Sequence, residues 1–118
     1  MTDKEFRKQR ARVRKAYNRL EGPLGLKHWY IVVAYERGPI RVDGTLSDDA
    51  DAACKVNWPY RTATMTFNLE KVAALSKARL DEVIIHEAMH VHVREMREDH
   101  NLEHEEHVVT SLTWVALW

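Results

Sequence analysis

The run "KARLDEVIIHEAMHVHVREMRE", residues 77–98, constrains the fold more than any other part of the chain. Wound into a helix, it points Ile84, Ala88 and Val91 one way and Ile85, Met89 and Met96 another. A helix that is apolar over most of its circumference has to lie at the centre of a domain, with the other elements packed around it. Ser76 is placed to cap its first turn. Along the same helix run His86, Glu87, His90, Arg94 and Arg97, a polar stripe that is costly to bury unless something satisfies it.

The flanking segments supply what the central helix needs. Residues 3–21 carry Phe6, Val13, Tyr17 and Leu20 at helical spacing and end before Gly22-Pro23. "KHWYIVVAYERG" (27–38) is β-branched and aromatic and predicts a largely buried strand that stops at Gly38-Pro39. "IRVDGTLSDDADAA" predicts a short strand and a turn at Asp43-Gly44. "CKVNWPYRTATMTFNL" reads as one or two strands, with Pro59 keeping its first part at an edge or a bend. Within it Ala63, Met65, Phe67 and Leu69 alternate with Thr62, Thr64, Thr66 and Asn68, the pattern of a half-buried strand. "LEKVAALSKARL" then opens with a short helical turn or two. After a break near Asp99–Asn101, residues 102–117 predict a last helix with the apolar stripe Leu102, Val108, Val109, Leu112, Val115 and Ala116. The order predicts one α+β domain over residues 1–118.

Composition narrows the partners. The formal net charge is zero, so the whole molecule has no bulk attraction for nucleic acid or anionic lipid. Lys4, Arg7, Lys8, Arg10, Arg12, Arg14, Lys15 and Arg19 crowd the first helix. Without aromatic or glycine-rich interleaving they read as its solvated face, so nucleic acid is not the expected partner. One cysteine, Cys54, allows no internal disulfide. The charged start and the lack of a long apolar run predict a cytoplasmic protein without a membrane segment. The terminal "LTWVALW" either covers the core or pairs with another chain, and the sequence leaves the oligomeric state open.

His86-Glu87-x-x-His90 gives the polar stripe a chemical meaning. Positions 86 and 90 lie one turn apart on the same helical face, so both imidazoles reach a single ion. Zinc suits imidazole nitrogen, and a hydrolytic site needs three protein ligands and one open position. Glu87, turned by about 100° from His86, falls beside that position as a general base. The extended pattern HExxHxxGxxH would need a glycine and then a histidine further along, where Val93 and Met96 stand, so it does not supply the third ligand. That ligand must come from the last helix, where Glu105 lies near the middle of the apolar stripe. A carboxylate there is an anomaly that a facing cation removes. Glu105 is therefore the first choice, Glu106 on one flank the second, and His104 on the other the third. His100, His104 and His107 also share a face and read as a rim stripe, and His92 as a packed or solvated histidine.

"IIHEAMH" followed by a helix beginning "EHEEHVVTSL" resembles the zincin metallopeptidases of the gluzincin type. The likeness is to minimal single-domain members, including small metallopeptidases of phages and prophages, and its order runs over nearly the whole chain. It implies a minimal zincin-like fold: an N-terminal helix, a small mixed sheet, the HExxH helix and a C-terminal helix. It further implies His86 and His90 as ligands of one Zn²⁺, Glu87 as general base and acid, and Glu105 (or its alternates) as third ligand. The strand "TATMTFN" (62–68) would be the edge along the cleft, with Thr64, Met65 and Thr66 pairing an extended peptide. For the oxyanion, Tyr60 and His107 are the available side chains. The few residues after His90 imply a shallow cleft. A zinc metallopeptidase acting on a peptide or protein is thus expected. The alternatives are a catalytically silent metal-binding or interaction module of the same fold, or a DNA-associated metalloprotein using the basic helix.

Overall fold

A computed structural model describes residues 1–96 and 102–117, without the side chains of 95, 96 and 102–104. Arg97, the expected break near 99–101, His100 and the side chains of Met96, Leu102 and His104 therefore lie outside the described residues. Helix α1 spans Asp3–Glu21, and the Thr2 side chain caps it by accepting from the Glu5 N–H at 3.1 Å. Strand β1 (Tyr30–Glu36) follows, then a hairpin of β2 (Ile40–Val42) and β3 (Thr45–Ser47). Asp43 and Gly44 form its turn, both at positive φ (51° and 83°), the left-handed pair that a two-residue hairpin requires. Strands β4 (Ala52–Asn57) and β5 (Thr62–Asn68) come next, joined by a 3₁₀ turn at Trp58–Tyr60 that accommodates Pro59.

Asn68 explains the change of period. It ends β5, and its side chain accepts from the N–H groups of Glu70 and Lys71, which starts helix α2 (Leu69–Ala73). Arg12 of α1 donates to the Val72 and Leu75 carbonyls at the far end of α2, so one member of the basic face is structural. Ser76 accepts from the Arg79 N–H at 3.2 Å and opens helix α3 (Lys77–Met96). Helix α4 (Leu102–Ala116) closes the described chain.

The sheet has the order β1-β5-β4, with β1 parallel and β4 antiparallel to β5. One face carries Val33, Ala63, Met65 and Phe67 against Val13 and Tyr17 of α1 and Leu80, Ile84, Ala88 and Val91 of α3. That shared core makes the chain a compact α+β fold, with four helices and a small mixed sheet among the described residues. No helix of the described residues is long and apolar enough to cross a membrane.

Three expectations need correction. Strand β5 is the middle strand, not an edge: both its sides are hydrogen-bonded, so Thr64, Met65 and Thr66 have no backbone groups left to pair a peptide. Met65 is fully buried in the core, and Thr64 and Thr66 lie on the opposite sheet face. Strand β1 is an edge with one open face, on which Tyr30 is 72% exposed; only Val33 within it is buried. Helix α4 turns Glu105 and Val109 inward as its stripe predicts, but it buries Thr113 and leaves Val108 and Val115 of that stripe exposed.

Candidate metal centre

Helix α3 packs against both β4 and α4, and His86, His90 and Arg94 of its polar stripe reach α4. The first turns of α4 bring two adjacent carboxylates to it. Glu106 spans both histidines: His86 Nε2 donates to Oε1 at 2.7 Å, and His90 Nε2 lies 3.0 Å from Oε2. The two rings are 5.1 Å apart between centroids and inclined at 75°, as one turn of helix allows. One ligand atom from each of His86, His90 and Glu106 falls within 4.8 Å of the others. Two imidazole nitrogens and a carboxylate oxygen so grouped could hold a metal ion, and Zn²⁺ takes such donors.

Glu105 lies elsewhere in the network. Its Oε2 accepts from His90 Nδ1 at 2.9 Å, on the other side of the ring, and its Oε1 accepts from Arg94 Nε at 3.2 Å. Geometry thus brings Glu106, the second choice from sequence, to the two Nε2 atoms, and takes Glu105 to Nδ1. The two residues differ by about 100° around α4, so the helix rotation decides which carboxylate faces the histidines.

Glu87 is buried, 6% exposed. Burial pushes its carboxyl up to about 7 and nearby Glu106 adds to the rise, while His90 opposes it. Its side chain and His86 line a cavity of about 240 Å³ with Asp51, Ala52, Arg79, Glu82 and Val83. Arg79 pairs with Glu82 at 2.5 Å on the wall. Sequence reasoning missed these wall residues. Arg79, Glu82 and Val83 could have been found, because they continue the face of His86 by one and two turns. Asp51 and Ala52 carry no such signal; Ala52 opens β4 opposite Phe67, and Asp51 just before it accepts from the Asn68 N–H.

Cys54 of β4 also comes near. Burial pushes its thiol up, and the Glu87 and Glu105 carboxylates act in the same direction, while Arg94 opposes them. His92 is structural: Nε2 donates to the Leu24 carbonyl at 2.5 Å, beside Gly25. Tyr60 is exposed on the 3₁₀ turn, and His107 is exposed on α4. Compared with family models, curated proteins and solved structures, the chain matches none.

Proposed function

We propose that the protein is a zinc-dependent metallopeptidase with a minimal zincin-like fold of the gluzincin type. One observation carries this reading: two Nε2 atoms and a carboxylate converge beside a buried glutamate that opens on a cavity. His86, His90 and Glu106 would hold the ion. Bound there, zinc would supply a water whose pKa is lowered to about 7 and Lewis-acid polarisation of a carbonyl.

The other steps belong to the chain's own side chains. Glu87, next to His86 in the chain and lining the same cavity, is the carboxylate placed to take up and release a proton. As base it accepts a proton from the attacking water; as acid it returns that proton to the departing amine. Low exposure keeps bulk water from competing for it. The outer side of β4, unpaired among the described strands, replaces β5 as the edge that can align a peptide, since Ala52 at its start lines the cavity.

The test separates holding the metal from using it. Glu87→Gln should retain zinc and lose cleavage of a broad peptide library, and His86→Ala should lose the zinc. Zinc retained in His86→Ala would refute the ligand set. Zinc bound by the wild type with no turnover on any peptide would instead support the silent-module alternative.

A further inference from the structure

Glu105 is a buried carboxylate, its side chain 5% exposed, that the proposed chemistry does not use. An isolated buried charge is costly, and among the described residues this one meets His90 and Arg94, one turn apart on α3. His90 Nδ1 lies 2.9 Å from Oε2, and Arg94 Nε lies 3.2 Å from Oε1. A carboxylate oxygen only accepts, so the hydrogen in the first contact belongs to Nδ1. With Nδ1 committed to Glu105, Nε2 is the nitrogen left to face Glu106 and the histidine partner. The ring's orientation is therefore set from its rear, and with a cation at Nε2 the remaining ring hydrogen would sit on Nδ1, facing Glu105. Arg94 meets the second oxygen and offsets the charge, so a carboxylate that swings away from the ring also gives up this contact.

Resting on the zinc reading of the site, we infer that Glu105 is a positioning residue: it holds His90 with Nε2 presented to the metal, and Arg94 clamps it there. Adjacent glutamates on α4 then divide the work. Glu106 faces the ion, and Glu105 faces the back of a ligand. Contacts of this kind typically change metal affinity by about 10–100-fold. The arrangement also removes the anomaly that the sequence raises, a carboxylate on the buried side of α4, without making it a ligand.

The experiment compares Glu105→Gln, Glu105→Asp and Glu106→Gln with the wild type. Zinc affinity is measured by competition with a chromophoric chelator, and the ligand set by the visible spectrum of the cobalt-substituted protein. Glu105→Gln should bind one equivalent with an affinity about 10–100-fold weaker and an unchanged cobalt band pattern. Glu105→Asp, which keeps the charge but is one methylene shorter, should fall between it and the wild type. It carries the test if the Gln variant fails to fold. Glu106→Gln should lose tight binding and alter the cobalt spectrum. Affinity within twofold of the wild type in both Glu105 variants would overturn the assignment. So would loss of the site in Glu105→Gln with retention in Glu106→Gln, which would make Glu105 the ligand. A wild type that binds no zinc would refute the metal-site reading itself, a result distinct from either.

Discussion

In the metal-free protein, Glu87 should set a measurable slope of stability against pH. Burial raises its carboxyl from 4.5 to about 7. The folded state therefore holds a proton that the unfolded chain releases, and stability falls as pH rises through that window. At about 1.4 kcal/mol per pH unit, the loss between pH 4.5 and 7 amounts to about 3 kcal/mol. Glu87→Gln keeps the shape of the neutral carboxyl and cannot ionise. It should match the wild type near pH 4.5 and exceed it by about 3 kcal/mol at about pH 8. Urea denaturation followed by far-ultraviolet circular dichroism, with chelator present, measures both proteins across that range. Their difference cancels the titration of groups common to the two. A difference that is flat with pH would refute the reasoning. So would a variant less stable at the alkaline end, since the carboxylate would then be favoured by its surroundings. Saturating zinc should flatten the wild-type slope, because a nearby cation favours the ionised form.

Three further outcomes test the frame that carries the site. Ile84→Ala removes a fully buried side chain from the α3 face of the core and should cost about 2–5 kcal/mol in urea denaturation. Arg12→Met keeps the apolar stem but removes the donor shared by the Val72 and Leu75 carbonyls, of which Val72 keeps the Leu75 N–H, and should cost about 1 kcal/mol by the same measurement. Gly44→Ala meets no atom within 4 Å, so its cost should be backbone strain alone at φ 83°, about 1–2 kcal/mol, with zinc affinity unchanged.

Much of the frame was legible because local chemistry wrote it. Alternation at Ala63, Met65 and Phe67 marked the core face of β5, and Ser76 marked the start of α3. Asp43-Gly44 marked a hairpin turn. Pairing was not legible. Alternation reports that one face is buried and is silent on whether zero, one or two neighbours bond the strand, so β5 could pass for an edge. β1 misled in the opposite sense, since Tyr30 and Val32 have the composition of buried strand residues but lie on an open face. At the site, the helical spacing of His86, Glu87 and His90 was explicit. The choice between Glu105 and Glu106 was not, because it depends on how α4 is rotated against α3. Arg94 was the one clue: a carboxylate that reaches the rear of His90 also meets the guanidinium one turn on.

The central claim is that His86, His90 and Glu106 hold a zinc ion. Elemental analysis of the wild type and Glu106→Gln, each purified without added zinc, tests it most directly. The account predicts about one equivalent of zinc in the wild type and almost none in the variant. A wild type that carries no zinc and takes up none when it is supplied, or a variant that keeps its full equivalent, would contradict it.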